Sequence, residues 1–257
     1  CQTLPSMAGV AGRVALVTGG GRGIGRTTAK LLASRGATVM CVSRTRQELE
    51  DVGLDYVAAD LGTTEGCSQA VVETEQRLGP IEILVCNHGI GSAHEDVIWK
   101  QTPEVWQNTM RVNLDGPFYL SRLVLRGMVE RRYGRAVYVS STAGLVAEHA
   151  GSAYNSSKHG LIGLMRSVAE DAGPFGITSN AVLPGWVRTE MAERSARQEA
   201  KDRDITVDEV WSERAALYPS GRVATVAEVA ETIAFFASEE ASGINGEAVK
   251  VALGGMS

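Results

Sequence analysis

The chain has 257 residues, of which 44% are hydrophobic and 21% charged, and a formal net charge of −5. That balance supports a full buried core and excludes collagen-like, coiled-coil and disordered chains. The acidic sum argues against a sequence-independent nucleic-acid binder, which needs clustered Lys and Arg to neutralise phosphates, and favours a small acidic or neutral ligand. No two of Cys1, Cys41, Cys67 and Cys86 form a CxxC pair, so a zinc or redox motif is not expected and a reduced, cytoplasmic protein is. No apolar run approaches the roughly 18 to 20 residues that span a bilayer, so no membrane partner is expected. Residues 1–6 precede Met7, which reads like a natural start, and are expected to lie outside the fold.

Residues 14–18 form a short apolar run entering a glycine cluster, and residues 24–34 then place Ile24, Leu31 and Leu32 on one side of a helix. Further short apolar segments, most of them β-branched and bounded by Gly, Pro, Asn or Asp, fall at 39–43, 56–59, 81–86, 136–140, 178–183 and 248–252. Helical patterns fill 65–78, 103–132, 152–172 and 225–238, and the short gap between the second and third strands leaves room for a helix of a turn or two. Residues 190–218, rich in Ala, Glu, Arg and Asp, read as an inserted helical lid. Apolar strands separated by helices indicate an α/β, doubly wound architecture: a seven-stranded parallel sheet with helices on both faces, in a single domain over residues 1–257.

The segment Thr18-Gly19-Gly20-Gly21-Arg22-Gly23-Ile24-Gly25 sits where the first strand hands over to the first helix. Glycines permit a close approach that a Cβ would forbid, and the helix N-terminus offers free N–H groups to a pyrophosphate. In a dinucleotide-binding unit an Asp or Glu about 20 residues further on holds the adenosine ribose 2′-OH. Here that region reads Ser43-Arg44-Thr45-Arg46, and the acid is absent. Ser43 can donate a hydrogen bond while Arg44 and Arg22 offer forked, permanent charge to a 2′-phosphate, which favours NADP(H) over NAD(H). The plainer alternative makes Arg44 and Arg46 solvated residues at a helix start. Asp60, after the third strand, either caps the following turn or meets the adenine amino group.

Tyr154 and Lys158 stand four residues apart at the start of a helical segment, so both project from one face, and Ser141 ends the fifth strand thirteen residues earlier. Reduction of a carbonyl needs a proton for the developing alkoxide, but a free tyrosine, with a pKa near 10, exchanges protons poorly at neutral pH. An ammonium one turn away lowers that pKa, and a serine hydroxyl near the carbonyl oxygen stabilises the charge gathering there.

With Asp60-Leu61, Cys86-Asn87-His88-Gly89, Asn113-Leu114-Asp115-Gly116, Ser140-Ser141, Tyr154-Asn155-Ser156-Ser157-Lys158 and Pro184-Gly185, these motifs resemble, in order and along nearly the whole chain, the short-chain dehydrogenase/reductase family, in its single-Rossmann-domain type. The pattern looks most like the 3-oxoacyl-[acyl-carrier-protein] reductase branch. The resemblance implies that Tyr154 is the general acid/base, Ser141 orients the substrate carbonyl, Lys158 also binds the nicotinamide ribose and Asn113 holds a water in a proton relay. It implies cofactor contacts at Gly19, Gly21, Arg22, Gly23, Ile24, Gly25, Ser43, Arg44, Asp60, Leu61, Asn87, Gly89, Tyr154, Lys158, Pro184, Gly185 and Val187, with Thr189 at the carboxamide or phosphate. It also implies a tetramer, and the small and apolar residues of 103–132 and 152–172 suggest helices packed across a two-fold axis.

The family's Asn-Asn-Ala-Gly is Cys86-Asn87-His88-Gly89 here, so His88 either narrows the cofactor channel or is satisfied by nearby backbone. His88, His94, His149 and His159 have no partner at ligand spacing, and no metal is expected. Ser141 lacks the GxSxG elbow of a hydrolase. Glu148, His149, Trp186 and the 191–218 segment are candidate specificity contacts, with lid packing the alternative for Trp186 and Tyr218. The expected partner is a small carbonyl or alcohol substrate, with an acyl thioester one candidate. Trp186 and the lid also resemble 3-hydroxybutyrate dehydrogenases, which use NAD; Ser43-Arg44 speaks against that cofactor. A nucleotide-binding regulator without turnover would need the fold but not Ser141, Tyr154, Lys158 and Asn113, all of which are present.

Overall fold

The computed structural model describes residues 9–92 and 95–255, so His94 and residues 1–6 lie outside it. The described residues form seven parallel strands in the order β3-β2-β1-β4-β5-β6-β7. In β1 (Val14–Thr18) every residue is buried, which a strand achieves only when helices cover both faces of its sheet. Successive side chains there serve opposite sides. Leu16 joins a core with Met40, Leu84, Leu120, Leu161 and Met165, whereas Ala15 and Val17 join one with Val39, Ile83, Val137, Leu32 and Ile233. The first core is roofed by α3 (Thr64–Leu78), α5 (Gly116–Arg131) and α6 (Ser152–Ala172), the second by α1 (Gly23–Ser34) and α9 (Val226–Phe236).

β1 lies between β2 (Thr38–Ser43) and β4 (Ile83–Cys86), so chain order runs outward in both directions from this pair. The crevice beyond the carboxyl ends of β1 and β4 is the place where open α/β sheets bind ligands. The remaining strands are β3 (Asp55–Ala58), β5 (Gly134–Val139), β6 (Ile177–Pro184) and β7 (Ala248–Val251). The short helix α2 (Arg46–Glu50) fills the gap where one or two turns were expected.

The stretch 103–132 differs from the continuous helix its pattern suggests. It divides into α4 (Pro103–Met110), a π turn at Arg111–Asp115 and α5. Pro117 supplies the reason, because it has no N–H to donate to the carbonyl of Asn113 four residues earlier. Residues 190–218 hold α7 (Glu190–Arg203) and α8 (Val207–Ala216), each started by a threonine, Thr189 and Thr206, whose hydroxyl accepts a backbone N–H. A small core of Ala196, Ala200, Val210 and Trp211 joins them. Among the described residues no helix is long and apolar enough to cross a membrane, and no three His, Cys, Asp or Glu side chains gather as metal ligands.

Candidate active site

Thr18 closes β1, and its hydroxyl donates to the Val85 carbonyl at 3.0 Å while the Asn87 N–H reaches it at 2.9 Å. The Asn87 amide in turn donates to the Thr18 carbonyl at 3.0 Å, stitching the ends of β1 and β4 together. Gly19 has a φ of +63°, and a Cβ there would stand 2.8 Å from the Asn87 amide nitrogen. A Cβ on Gly25 would run into the Gly19 carbonyl, so glycine is what lets α1 dock so close to the turn. Arg22 provides no side-chain cap for α1, whose first turn carries no acid. The first N–H groups of α1, those of Gly23, Ile24 and Gly25 among them, suit an anion.

Around this turn, Ser43 presents a buried hydroxyl without a partner among the described residues, and Arg44 is exposed. Arg46 donates to the Tyr56 hydroxyl at 3.1 Å, as a helix-start residue would. Asp60 accepts from the Gly62 N–H at 3.0 Å and from Arg111 Nη1 at 3.1 Å. Partial burial works to raise its pKa, but the Gly62 N–H, the Arg111 guanidinium and Arg44 outweigh it and hold the carboxyl below its ordinary value. Leu61 is buried beneath it.

His88 sets its Nδ1 2.8 Å from the Thr18 hydroxyl, and a Cβ on Gly116 would stand 2.8 Å from its Nε2. Burial, with the Lys158 charge adding to it, pushes the imidazole down to about 3. The ring is a neutral wedge between β1 and α5.

The second cluster comes from three separate elements. Ser141 follows β5, its Oγ accepts the Ala143 N–H at 3.1 Å, and its hydroxyl stands near enough to the Tyr154 phenol to pull that phenol's pKa down. Lys158, one turn further along α6, donates to the Val139 carbonyl at 3.0 Å and lies 5.7 Å from the Tyr154 ring centroid. Asn113, 1% exposed in the π turn, accepts the Ile90 N–H at 2.8 Å and donates to the Ile90 carbonyl at 2.9 Å and to Ser157 Oγ at 3.1 Å. A Cβ on Gly89 would sit 3.2 Å from Asn113 Oδ1 and 3.5 Å from Lys158 Nζ. Gly89, Asn113, Lys158, Tyr154 and Ser141 therefore gather at the carboxyl ends of β4 and β5.

The expected lowering of the phenol is opposed in the free chain. Burial pushes Tyr154 up to about 12 against the pull of the Ser141 hydroxyl, and the Glu148 and Glu95 carboxylates push the same way as burial. Burial also brings Lys158 down to about 8.

The profile of the short chain dehydrogenase family matches residues 13–200. The chain belongs to that family. It is 34% identical over 247 residues to the 3-oxoacyl-[acyl-carrier-protein] reductase FabG of Escherichia coli (strain K12), covering 93% of this chain and 96% of that one. It is 33% identical over 245 residues to the D-beta-hydroxybutyrate dehydrogenase of Cupriavidus necator, covering 91% and 94%. The solved structure of a single-site variant of actinorhodin polyketide ketoreductase with NADPH superposes with a TM-score of 0.88 at 29% identity, covering 98% of this chain and 99% of that one. The chain is thus an oxidoreductase of the short-chain type acting on CH–OH or keto groups, and the structure of the actinorhodin ketoreductase variant contains NADPH.

On the far side of the crevice, short-chain dehydrogenase motif residues end β6. Pro184 is its last residue, and a Cβ on Gly185 would stand 2.5 Å from the Tyr218 hydroxyl, which accepts the Trp186 N–H at 2.6 Å. Val187 is buried and bridges to Ala224. Thr189 caps α7 and brings its Cγ2 within 3.5 Å of a Cβ placed on Gly23, so it reaches the glycine turn. Trp186 and Trp211 meet edge to face, with the buried Arg214 guanidinium 3.7 Å and 4.9 Å from the two ring centroids. Trp186 and Tyr218 are thus packed as lid contacts. Glu148 is half-buried, and burial raises its pKa against the pull of Arg214.

Sequence reasoning missed Glu95, which accepts the N–H groups of Ala153 at 2.8 Å and Tyr154 at 2.7 Å and so caps α6 from 58 residues upstream. The only signal was negative: Gly151 gives this helix no side-chain cap. Glu95→Ala should lower stability by about 1–2 kcal/mol through two lost charge-assisted caps, read as a shift in the urea midpoint at unchanged slope. An unchanged midpoint would show that the helix start holds without it.

Proposed function

We propose that the chain is a cytoplasmic, single-domain NADP(H)-dependent reductase that converts a ketone to a secondary alcohol, with residues 190–218 as its substrate lid and a 3-oxoacyl thioester as its most fitting substrate class. The observation that carries this reading is the gathering of Ser141, Tyr154, Lys158 and Asn113 at the carboxyl ends of β4 and β5. The chain's own features fit a dinucleotide: the turn has no room for side chains at Gly19 and Gly25, Arg22 gives α1 no side-chain cap, and Ser43 holds a buried hydroxyl with no partner among the described residues. The glycine turn with Ile24 would hold the pyrophosphate; Ser43, Arg44 and Arg22 the 2′-phosphate; Asp60 and Leu61 the adenine. Asn87, Gly89, Lys158, Pro184, Gly185, Val187 and Thr189 would hold the nicotinamide half.

The bound reduced nicotinamide supplies the hydride. Tyr154 gives its phenolic proton to the substrate oxygen as the C–O double bond opens, and Ser141 donates a hydrogen bond to the same oxygen. The Lys158 ammonium stabilises the phenolate left behind until a proton returns from solvent. Asn113 has both amide N–H groups spent, so the relay water falls to its main-chain carbonyl, which Pro117 deprives of its helical partner.

A dehydrogenase of a small hydroxy acid is the second reading, favoured by the likeness to D-beta-hydroxybutyrate dehydrogenase over nine-tenths of the chain. We also propose a homotetramer, in which the exposed Phe118 of α5 is covered; light scattering at micromolar concentration should give four times the chain mass. The deciding assay follows nicotinamide absorbance with acetoacetyl-CoA and either NADPH or NADH. Turnover with NADPH alone is expected, and preference for NADH would overturn the cofactor reading.

A further inference from the structure

Arg22 meets two carboxylates where it would meet a phosphate. Its Nη1 lies 3.3 Å from Glu48 Oε1, on α2, and 3.3 Å from Glu190 Oε2, on the first residue of α7. The two carboxylates are differently placed. Glu190 is 58% exposed and belongs to the lid, whereas Glu48 is 29% exposed and faces the glycine turn. A Cβ on Gly21 would touch Glu48 Cβ at 3.0 Å, Glu48 Oε2 at 3.3 Å and Ser43 Oγ at 3.2 Å. The carboxylate, the unpaired serine hydroxyl and the bare glycine thus meet at one point. Arg26 holds them there, donating to the Gly21 carbonyl at 2.7 Å and to the Glu48 carbonyl at 3.3 Å, which ties α2 to the turn.

The end of β2 lacks the acid that would hold a ribose 2′-OH, but α2 returns a carboxylate to the same place one turn later. We propose that Glu48 is a specificity-determining residue that narrows the chain's discrimination between a 2′-phosphate and a 2′-hydroxyl. The role rests on the adenosine ribose lying beside Ser43, as the NADP(H) reading has it. A 2′-phosphate must take Arg22 from Glu48 and then sit beside a displaced like charge, whereas a 2′-hydroxyl leaves the Arg22–Glu48 pair intact. Arg22 and Arg44 attract the phosphate, and Glu48 subtracts from that attraction.

The test is calorimetric titration of the full chain and its Glu48→Gln and Glu190→Gln variants with 2′,5′-ADP and with 5′-AMP. Glu48→Gln keeps the size and polarity of the side chain while removing its charge. It should tighten 2′,5′-ADP about fivefold, the scale of one partly exposed charge contact. Affinity for 5′-AMP should stay as it is, and Glu190→Gln should have the smaller effect. Unchanged or weaker 2′,5′-ADP binding in Glu48→Gln would overturn the proposal. So would weaker 5′-AMP binding, which would make Glu48 an acceptor for the 2′-hydroxyl. Failure of the cofactor reading shows separately, as a wild-type chain that binds 5′-AMP more tightly than 2′,5′-ADP; the change of that ratio in Glu48→Gln still decides the role of Glu48.

Discussion

Tyr154→Phe should reduce turnover by about 10²- to 10⁴-fold, the usual worth of a positioned general acid, while leaving NADPH affinity within a small factor of wild type. The substitution removes one oxygen and little else. The ring stays on α6, held at its N-terminus by Glu95, and Lys158 keeps its bond to the Val139 carbonyl. Of the groups proposed to touch the dinucleotide only the Tyr154 hydroxyl is lost, so the loss should fall mainly on kcat, with the cofactor Kd as the control. The pH dependence follows from the phenol, which burial pushes up to about 12 in the free chain. It is therefore protonated at neutral pH and ready to act as the acid in reduction. Oxidation of an alcohol needs the phenolate, so its rate should rise with pH while reduction is already supported near neutrality. A bound oxidised nicotinamide brings positive charge that shifts the onset downward. Initial rates in both directions across pH, for wild type and Tyr154→Phe, check this. Turnover above a tenth of wild type in the variant would remove Tyr154 from the chemistry.

The features legible in the sequence share one property: their geometry is local. The turn from Thr18 to Gly25 is written in consecutive residues, and the four-residue spacing of Tyr154 and Lys158 fixes a common helix face without tertiary information. Pro117 was equally visible, and its lost N–H was the available sign that the long helical pattern breaks at Asn113. Other features were not local. Glu95 caps α6 across 58 residues, and Glu190 reaches Arg22 across 168. Glu48 is visible in the sequence, but Arg44 and Arg22 point towards phosphate and mask it. The charge balance depended on which groups the fold set against Arg22. The direction of the Tyr154 shift likewise depends on burial and on two carboxylates from separate loops, neither of which the helical spacing encodes.

Lys158→Met should abolish turnover and yet raise the thermal stability of the cofactor-free chain at neutral pH. Lys158 is 5% exposed, and burial lowers its pKa from the ordinary 10.5 to about 8. Below the lower value the ammonium is charged in both folded and unfolded chains, and the folded state carries the cost of burying it. Between the two values the unfolded chain binds more protons than the folded one, so stability climbs with pH and the cost is relieved. The shift corresponds to at most about 3 kcal/mol, since each pKa unit is about 1.4 kcal/mol. Methionine has a similar length and no charge, but it gives up the bond to the Val139 carbonyl, about 1 kcal/mol. A net gain of about 2 kcal/mol remains, equivalent to about 4–8 °C in Tm for a chain of this size. Melts at rising pH should show the gap between variant and wild type closing as the ordinary lysine value is approached. A variant that melts below wild type at neutral pH would mean that Lys158 contributes to the fold. The expected result instead makes it a group kept at a stability cost, as the proposed mechanism requires of an ammonium that steadies the phenolate and holds the nicotinamide ribose.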